Sequence, residues 1–518
     1  MNGKTKVMLI QPPAWCNNAR DDMNPNVPLG IAYIAAVLLD EGYDVVMLDA
    51  FLEGWDIETR ISPERVRVGL PFDEIQDRIE LEKPDVVGIT SMFTSQRKNM
   101  HKVVQLVKNI AKEIKVIVGG AHPTSAPQSV LTDNNVDAII MGEGENSIHP
   151  LIEALLQGND LNKLDGVGFR IGNNCIINEK TDWIQDLDSI SFPARHLLPM
   201  EKYIDAEYRH GGRNRKTRAT SFITSRGCQY RCNFCTAFKV FSKVPRMRST
   251  ENVLKELQYL VDEYNIEEIY FEDDQIIAKQ RRAGELFDAL KDNFNISWDT
   301  PNGVSSWLLN DEILEKMKDS GCYNVNLAIE SGSQFVLDEI INKPVKLDKV
   351  PRLVKKIRKL GMDANAFLVA GNISEDKIET LDQIKESFKF CRKARIFPHV
   401  SYLTAYPGSA VLDIAKEKEY LVEGFDWDDL MINRQQIETP EWSTEELRSL
   451  VEWEKIKTRL WFLLTAPLII KLRIIKQVFL RPKQAYDFVK LLFSKARTFR
   501  PHRTSSLQNI SPPKNIWS

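Results

Sequence analysis

Three cysteines, Cys228, Cys232 and Cys235, lie within one short loop in the spacing C-x3-C-x2-C. Three thiolates this close together can hold three corners of a metal centre, but they supply no fourth ligand. A structural zinc ion normally has four protein ligands, and a simple electron-transfer iron–sulfur cluster has four cysteines. His210 and Cys322 could complete a zinc site, but neither lies at the usual short spacing from the loop. The loop therefore favours a cubane cluster with one iron open to another ligand.

The elements that must position this loop belong to a series of strand–helix units. The cysteines follow a strand-like run at 221–224 and a turn at 225–227. Further strand candidates are 268–271, 297–299, 324–328, 364–369 and 399–403, and the helical stretches between them include 252–264, 282–293, 311–320, 350–360 and 380–393. This alternation predicts a partial (β/α)6 barrel, in which chemistry takes place at the carboxyl ends of the strands. Polar clusters lie at those points, at 272–274, 302–303 and 330–333.

The chain ahead of the barrel shows a similar alternation. Strand candidates are 7–10, 45–49, 86–90, 116–119 and 138–141, and helix-like spacing occurs at 29–41, 72–82, 99–114 and 147–156. The pattern predicts an α/β domain with a doubly wound, Rossmann- or flavodoxin-like parallel sheet, which binds ligands outside the carboxyl ends of its strands. Small and turn-forming residues stand at those ends, and glycines there allow a bulky ligand to approach the backbone closely.

The cysteine loop resembles the signature of the radical S-adenosylmethionine (SAM) enzymes. In that family the amino and carboxylate groups of SAM chelate the open iron, and the aromatic residue before the last cysteine, here Phe234, lies close to the bound nucleoside. Residues 271–274 match the segment that receives the SAM amino group, which implies that Asp273 and Asp274 pair with an ammonium. Residues 328–333 resemble the family's I-E-S-G segment, so that Glu330 would bond the ribose hydroxyls.

For these acids the alternative interpretation is a solvated helix N-terminus, where the helix dipole stabilises negative charge. Two segments also depart from the family pattern. Residues 371–374 read Gly-Asn-Ile-Ser where Gly-Leu-Pro-Gly is usual, and 304–306 read Val-Ser-Ser where an arginine is common. The Tyr-Pro-Gly turn at 406–408 does match the cobalamin-dependent branch of the family.

The first domain resembles the cobalamin-binding domain that precedes many radical SAM modules. The resemblance rests on segments 28–31, 84–90, 118–123 and 142–145. The D-x-H-x-x-G motif that supplies a histidine to cobalt in other cobalamin proteins is missing, which implies that no protein histidine binds the cobalt. A flavodoxin-like domain that has lost its ligand is the alternative. The resemblance implies the following cobalamin-binding residues: Thr90, Ser91, Gly119, Gly120, Gly142 and Glu143.

Length and composition set the outer limits of the interpretation. A chain of 518 residues predicts two or three domains, and we expect a cobalamin-binding domain at 1–156, a linker with a small hairpin at 157–218, a radical SAM domain at 219–440 and a helical region at 441–518. The net charge of −3 gives no general case for nucleic-acid binding. Seven cysteines, three of them in one motif, indicate a reducing interior. With no apolar leader and no apolar run long enough to cross a bilayer, we expect a cytoplasmic protein.

The C-terminal region differs in charge from the rest of the chain. Between Glu454 and Arg503 there are thirteen Lys and Arg residues but only two acids, and aromatic and aliphatic residues are interleaved with them. This pattern predicts a basic amphipathic helix, and we expect residues 455–503 to contact the anionic inner face of a membrane peripherally. The alternative is a helical cap that packs on the barrel and exposes its basic face to water.

Taken together, the resemblances imply a cobalamin-dependent radical SAM enzyme that uses a [4Fe–4S] cluster, SAM and cobalamin. The reduced cluster would cleave SAM to methionine and a 5′-deoxyadenosyl radical. The commonest outcome in such enzymes is methylation of an unactivated carbon, or of phosphorus, in a small-molecule or lipid-like substrate. A flavodoxin- or ferredoxin-type electron donor is also implied, and no nucleic-acid partner. Two alternatives remain: radical ring formation, as in the anaerobic magnesium-protoporphyrin ester cyclases, and a cobalamin- or redox-sensing protein without turnover.

Overall fold

The computed structural model describes residues 4–17, 23, 25–63, 65–206 and 215–465. The strands of this part of the chain are β1 Lys6–Gln11, β2 Ala14–Asn17, β3 Asp44–Asp49, β4 Glu58–Ser62, β5 Arg65–Val68, β6 Val86–Thr90, β7 Lys115–Gly119, β8 Ala138–Ile140, β9 Val167–Ile171, β10 Asn174–Ile177, β11 Ala219–Phe222, β12 Ser225–Arg226, β13 Arg246–Met247, β14 Glu268–Phe271, β15 Ser297–Asp299, β16 Asn324–Glu330, β17 Asp363–Ala370 and β18 Phe397–Tyr402.

The α-helices of the same residues are α1 Leu29–Asp40, α2 Ala50–Glu53, α3 Phe72–Glu82, α4 Arg97–Ile110, α5 Ala121–Ser125, α6 Pro127–Leu131, α7 Glu145–Gln157, α8 Met200–Asp205, α9 Ala237–Phe241, α10 Thr250–Tyr264, α11 Gln280–Asn293, α12 Asp311–Asp319, α13 Val350–Lys359, α14 Leu381–Ala394, α15 Ala410–Glu417 and α16 Thr444–Thr465. A π-helical turn spans Val336–Ile341, and short 3-10 turns span Thr94–Gln96, Leu187–Ser189, Arg195–Leu197, Ser306–Leu308 and Trp427–Asp429.

The first sheet has its strands in the order β10-β9-β8-β7-β6-β1-β3. The five strands from β8 to β3 run parallel, and the β9–β10 hairpin is antiparallel to β8. Because successive strand residues face opposite sides, Val7 and Leu9 pack with α1 and α7, whereas Met8 and Ile10 pack with α3 and α4. Helices cover both faces, which explains why the inner strands are continuous apolar runs. The predicted doubly wound sheet is confirmed.

Other parts of the first 206 residues elaborate this sheet. The hairpin expected within the linker is β9–β10, and it is an integral edge of the first sheet. The strands β2, β5 and β4 form a separate antiparallel sheet that the sequence reading did not anticipate. Its cationic side chains stack on aromatic rings, with Arg65 4.2 Å from the ring centroid of Trp15 and Arg67 4.2 Å from that of Phe72. The domain boundaries themselves stay a prediction.

The six strands of the predicted barrel form two parallel groups, β11-β14-β15 and β16-β17-β18. Isolated bridges from Trp298 to Cys322 and from Val304 to Leu327 join the two groups. Outward-facing side chains such as Phe222 and Trp298 pack into one core with helices α10 to α13. In the described part of the chain no bridge links β11 with β18, so the barrel is partial, as expected.

Polar side chains fill the interior of the barrel near the starts of β16 and β17. The Asn324 amide donates hydrogen bonds to both Asp299 oxygens, at 3.2 and 3.0 Å, and the Asn365 amide donates to Asn324 Oδ1 at 2.8 Å. The Asn326 amide donates to the Thr300 carbonyl oxygen at 3.2 Å. Because buried polar groups need partners, this network fixes the side chains that form the floor of the barrel.

Helix α16 is the last described element. Residues up to Val451 belong to one compact unit, and the helix continues beyond that boundary to Thr465. The remainder of the predicted basic amphipathic region, 466–503, lies outside the described residues. Among the helices that the structure describes, none combines the length and the apolar composition needed to cross a bilayer.

A buried charge network connects the segment before the barrel to the barrel itself. Glu256 on α10 accepts hydrogen bonds from the guanidinium groups of Arg195 and Arg248, the latter at 2.5 Å. Arg195, which is fully buried, also donates to the Ser221 carbonyl oxygen in β11 at 3.1 Å. The strand that leads to the cysteines is therefore held at its backbone by an arginine from outside the barrel.

We expect Glu256→Gln to lower the free energy of unfolding by about 3 kcal/mol or more, because it leaves two buried guanidinium groups without their carboxylate. Urea denaturation followed by circular dichroism measures the change. The control is Glu251→Gln on the same helix, which removes an exposed partner of Lys255 and should leave the midpoint unchanged, since exposed pairs contribute little. Equal midpoints for the two variants would contradict this account of Glu256.

Candidate active site

Two short strands close the cysteine loop at its base. The β12 residues Ser225 and Arg226 pair antiparallel with Met247 and Arg246 of β13. Gly227 follows with φ of 94°, and a Cβ added there would lie 2.8 Å from the carbonyl oxygens of both Phe241 and Val244. Only glycine fits this turn, because other residues rarely adopt positive φ and would collide with the backbone.

The two predicted aspartates after β14 anchor the chain that leads into the loop. Asp273 is buried and its Oδ1 accepts hydrogen bonds from the Thr224 hydroxyl at 2.7 Å and the Ser225 hydroxyl at 2.5 Å. Asp274 is half-buried and accepts a hydrogen bond from the Gly227 amide at 3.1 Å. Burial raises the pKa of Asp273, and it raises that of Asp274 to about 6.

The three cysteines are half-buried free thiols within the described structure. The Cys235 amide donates to the Cys232 carbonyl oxygen at 3.0 Å, which makes a tight turn between these two ligands. Asn233 lies inside this turn and its amide donates to the carbonyl oxygens of Ile340 at 2.9 Å and Ile373 at 2.8 Å. The turn is thus pinned to two different segments of the barrel. Burial raises the pKa of each thiol, that of Cys235 to about 12.

Phe234 connects the loop to the barrel. Its ring is half-buried and packs against both the large barrel core and the smaller core beneath α14 and α15. An aromatic ring at this point closes the apolar side of the loop. Tyr230, on the other side of the loop, accepts a hydrogen bond from the Trp307 indole at 2.6 Å, with the two ring centroids 4.9 Å apart.

Glu330 forms a buried ion pair with Lys343, which the sequence reading missed. The Lys343 ammonium lies 2.5 Å from Glu330 Oε1, and both side chains are less than a tenth exposed. Although burial alone would lower the pKa of Lys343, the Glu330 carboxylate raises it, and Cys232 and Cys235 add to this effect. Lys343 follows the π-helical turn Val336–Ile341, which brings it back to the end of β16.

The backbone at Glu330 has an unusual conformation. Its φ is 61°, in the left-handed region that a residue with a side chain seldom adopts, and the pairing of β16 with β17 shifts register between Ala328 and Glu330. Positive φ at such a residue costs free energy that the surrounding structure must offset. The bulge turns the Glu330 side chain towards Lys343 instead of leaving it in the regular alternation of the strand.

The Gly-Asn-Ile-Ser segment that departs from the family pattern is held by a buried carboxylate. Glu379 Oε2 accepts hydrogen bonds from the amides of Gly371 and Asn372, both at 2.9 Å, and from the Asn372 side-chain amide at 2.8 Å. Burial raises the pKa of Glu379 to about 7, although these donors act in the opposite direction. A carboxylate thus fixes a bend for which the usual pattern has a proline.

A second group of predicted residues lies at one edge of the first sheet. Strands β6 and β7 pair through Thr90 and Gly119 at their carboxyl ends, followed by Ser91 and Gly120. Gly120 has φ of 113°, and a Cβ added there would lie 2.8 Å from the Ser91 carbonyl oxygen. A Cβ added at Gly119 would meet no atom within 4 Å. At this edge the backbone at Gly120 therefore packs closely against that of Ser91, while the space beside Gly119 is open.

Two observations at this edge fit a large, partly apolar ligand. The Ser91 hydroxyl is buried and has no hydrogen-bond partner within the described residues. The next two side chains, Met92 and Phe93, are 53% and 64% exposed. A buried hydroxyl that lacks a partner and exposed apolar side chains beside it are both costly unless a ligand covers them.

Gly142 and Glu143 separate in the structure. Gly142 donates its amide to Thr124 Oγ1 at 2.8 Å, and the Thr124 hydroxyl donates to the Gly120 carbonyl oxygen at 2.8 Å, so Gly142 belongs to the edge. Glu143 is buried and points to the cysteine loop, where it pairs with Arg226 at 3.1 Å and Arg246 at 2.6 Å. The structure brings the other five predicted cobalamin-binding residues together, and Glu143 contacts the loop instead.

Comparison with known proteins identifies both halves of this arrangement. The B12 binding domain family matches residues 24–151, and the Radical SAM superfamily matches residues 222–391. The cytidylyl-2-hydroxyethylphosphonate methyltransferase of Streptomyces wedmorensis is 33% identical over 448 residues, 81% of this chain and 82% of that protein. The chain belongs to the cobalamin-binding radical SAM family. Its members bind a [4Fe–4S] cluster, SAM and cobalamin.

Two further relatives extend the comparison. The anaerobic magnesium-protoporphyrin IX monomethyl ester cyclase of Rubrivivax gelatinosus is 26% identical over 408 residues, 77% of this chain and 68% of that protein. The solved structure of the radical SAM methyltransferase TsrM from Kitasatospora setae, with cobalamin and a [4Fe–4S] cluster bound, matches with a TM-score of 0.64 at 15% identity. The match covers 81% of this chain and 76% of that chain. The shared fold is that of a cobalamin-binding radical SAM enzyme.

The cysteine loop suits a cluster better than a single metal ion. Within the described residues, no three His, Cys, Asp or Glu side chains converge tightly enough to bind one ion. A cubane makes a different demand, because each thiolate binds an iron of its own. Cys228, Cys232 and Cys235 meet this demand from three points of one pinned loop.

The pKa of Glu379 predicts a change of stability with pH. The pKa is raised from 4.5 to about 7 in the folded protein, so the contribution of this group to stability is fully present below pH 4.5 and is lost as the pH rises through 7. By pH 8 the loss amounts to about 3 kcal/mol. We expect Glu379→Gln, which keeps an oxygen for the three donors, to remove this part of the decline.

Urea denaturation of both proteins at pH 5 and pH 8 measures the effect. The difference in unfolding free energy between the two pH values should be smaller in Glu379→Gln than in the wild type. Glu375→Gln, an exposed change in the same segment, serves as the control and should leave the wild-type profile unaltered. Parallel profiles for the wild type and Glu379→Gln would show that the Glu379 carboxylate is already ionised at pH 5.

Proposed function

We propose that this protein is a methyltransferase that cleaves SAM reductively and transfers a methyl group by way of cobalamin to an unactivated carbon, or phosphorus, of a small molecule. The observation that carries the proposal is the buried Lys343–Glu330 pair beside the three-cysteine loop. A buried cation with an acid beside it suits SAM, because the ammonium can pair with the SAM carboxylate and the acid can accept hydrogen bonds from the ribose hydroxyls. The 33% identity to a phosphonate methyltransferase over most of both chains supports methyl transfer.

Four side chains would hold SAM at the open iron. Lys343 would receive the carboxylate of SAM, because an ammonium donates charge-assisted hydrogen bonds to it. Glu330 would accept hydrogen bonds from the ribose hydroxyls, and Phe234 would contact the nucleoside. Of the two aspartates, we assign the SAM ammonium to the half-buried Asp274, because the Asp273 Oδ1 is already occupied by two hydroxyl groups.

Cys228, Cys232 and Cys235 would bind the cluster, and the segment around them orients it. When bound, the cluster supplies the electron that splits SAM into methionine and a 5′-deoxyadenosyl radical, and cobalamin carries the methyl group. Asn233 keeps the turn between Cys232 and Cys235 attached to the barrel. The protein thus fixes the positions of the reacting groups, which lowers the entropic part of the barrier.

Cobalamin would bind at the edge formed by Thr90, Ser91, Gly119, Gly120 and Gly142. The Ser91 hydroxyl would gain the partner that it lacks among the described residues. The open space at Gly119 gives room for a bulky group, and Met92 and Phe93 offer apolar surface to a corrin ring.

The substrate would enter the upper interior of the barrel. Glu272 accepts hydrogen bonds there from the Ser221 hydroxyl at 3.1 Å and from the Asn302 amide at 3.2 Å. On β17 and β18, the rings of Phe367 and His399 lie 6.0 Å apart. A carboxylate, a hydroxyl and an amide next to aromatic rings favour a small molecule that carries hydrogen-bonding groups.

Other expectations from the sequence stay predictions. A flavodoxin- or ferredoxin-type electron donor, a cytoplasmic location and peripheral membrane contact through 455–503 have no support in the contacts of the described residues. Most of 455–503 lies outside those residues.

Turnover tests the proposed function directly. Anaerobically reconstituted protein incubated with SAM, dithionite and cobalamin should form both S-adenosylhomocysteine and 5′-deoxyadenosine, measured by liquid chromatography and mass spectrometry. 5′-Deoxyadenosine alone would indicate the ring-forming alternative, and the absence of both products a binding protein without turnover. We expect Cys232→Ser to abolish both products and to lower the iron content. Cys175→Ser, in the first sheet, is the control and should retain both.

Lys343 gives a second test, directed at the SAM site. We expect Lys343→Gln to weaken SAM binding about tenfold or more, because a charge-assisted hydrogen bond contributes roughly 1.5–3 kcal/mol. Titration of the reduced cluster with SAM, followed by electron paramagnetic resonance (EPR), measures the affinity. Lys346→Gln, which removes a half-exposed partner of Asp338, should bind SAM as the wild type does. An unchanged affinity in Lys343→Gln, with iron content intact, would remove Lys343 from the site.

A further inference from the structure

Four buried side chains join the cobalamin-binding half of the chain to the base of the cysteine loop. Glu143 and Glu145 lie at the start of α7, and Arg226 and Arg246 lie in the paired strands β12 and β13. All four side chains are less than a tenth exposed. We call this set the Glu143 cluster.

The contacts within the Glu143 cluster leave little freedom. Arg226 donates to Glu143 Oε1 at 3.1 Å and to Glu145 Oε1 at 2.7 Å. Arg246 donates to Glu143 Oε2 at 2.6 Å. The Ile184 amide donates to the same Glu143 oxygen at 3.1 Å. Both oxygens of Glu143 are occupied and its carboxylate is fully buried, so that it offers no surface to a cofactor.

The surroundings extend the connection on both sides. The Arg226 guanidinium lies 4.9 Å from the ring centroid of Tyr33 on α1 and 5.5 Å from that of Phe241 on α9, the helix that follows the cysteines. Arg246 donates to the carbonyl oxygens of Ile184 at 2.5 Å and Phe241 at 2.6 Å. Each arginine therefore contacts both the first half of the chain and the cysteine loop.

Such a network is a poor way to gain stability. Desolvating two carboxylates and two guanidinium groups costs several kcal/mol per ion, and well-packed apolar residues are often as stable. What buried, hydrogen-bonded charges do provide is a single geometry, because any displacement leaves a charge without its partner. The location of the cluster, next to Gly227 and Cys228, indicates which geometry is being fixed.

We propose that the Glu143 cluster holds the cysteine loop at a fixed distance and orientation relative to the cobalamin-binding edge. Glu143, Glu145, Arg226 and Arg246 are positioning residues and touch no reacting atom. The inference rests on the proposed function, in which SAM is used in two ways. Both reductive cleavage and methyl transfer use SAM bound at the iron–sulfur cluster, but only methyl transfer involves cobalamin. Reductive cleavage takes one electron from the cluster and gives methionine and, after hydrogen abstraction, 5′-deoxyadenosine. Methyl transfer from SAM to cobalamin reduced by dithionite releases S-adenosylhomocysteine and must cross the gap between the sites.

The rates at which the two products form distinguish a loss of positioning from a loss of folding. In Glu143→Gln we expect the rate of S-adenosylhomocysteine formation to fall about tenfold or more, since small misplacements of reacting groups have effects of this size. The rate of 5′-deoxyadenosine formation per iron–sulfur cluster should change much less. Asp137→Asn is the control, because it also removes a carboxylate charge from an ion pair of the first sheet, that with Lys108, but lies just before β8, at the opposite ends of the strands from the cobalamin-binding edge. It should lower stability while the ratio of the two products stays as in the wild type.

Two turnover results would overturn the proposal. One is an unchanged product ratio in Glu143→Gln. The other concerns Arg226→Lys, a variant that keeps the buried charge but cannot reach both carboxylates, and that replaces Glu143→Gln if the latter does not fold. A parallel fall of both products in Arg226→Lys, with loss of iron, would contradict the proposal. A second readout needs no turnover: the reduced cluster and cob(II)alamin are both paramagnetic, and EPR relaxation reports their distance. A wild type that forms no S-adenosylhomocysteine would refute the proposed function. Even then, a changed EPR relaxation in Glu143→Gln would support the positioning role of the Glu143 cluster, and an unchanged relaxation would refute that role.

Discussion

One buried carboxylate determines how the chain passes from strand β11 into the cysteine loop. Asp273 follows β14, and the register that pairs Phe222 with Phe271 brings it beside the residues after β11. There it accepts hydrogen bonds from the Thr224 amide at 3.1 Å and from the hydroxyls of Thr224 and Ser225. If the loop were ordered only on binding a cluster, its loss of conformational entropy would weaken that binding. The hydrogen bonds to Asp273 order the start of the loop already in the folded protein.

The same device recurs wherever an irregular segment borders the site. Glu379 fixes the bend at Gly371, Glu143 fixes the base of the loop, and Glu256 fixes the backbone of β11 through Arg195. A carboxylate suits this purpose because it accepts several hydrogen bonds at once from donors on different segments. The cost is desolvation, visible in the raised pKa of Asp273 and Glu379. The segments that we predict to contact the cofactors are therefore held by several buried hydrogen bonds each.

The strand–helix alternation and the cysteine spacing were readable from the sequence, because both are local patterns. The strand at Glu268–Phe271 and the one at Val86–Thr90 have the bounds that the apolar runs predicted. The partners of the charged residues were not readable. Arg226 and Glu143 are 83 residues apart in the chain, and no local pattern distinguishes a glutamate that binds an arginine from one that contacts a cofactor. Lys343 was missed for a related reason, since a π-helical turn disturbs the spacing that would have placed it opposite Glu330.

Three successive acids at the end of β14 show how closely the parts of the site depend on one another. Because successive residues of a strand face opposite sides, Glu272 faces the barrel interior, where it meets Ser221 and Asn302. Asp273 faces outwards to Thr224 and Ser225, and Asp274 reaches the Gly227 amide. The end of β14 therefore shapes both the barrel interior and the cysteine loop. A shift of β14 along its axis would move Glu272 and the cysteine loop at once, so substitutions of its outward-facing core residues are expected to affect both. Changes at the first sheet reach the loop by another route, which includes the contacts of Glu143 and Glu145 with Arg226 and Arg246.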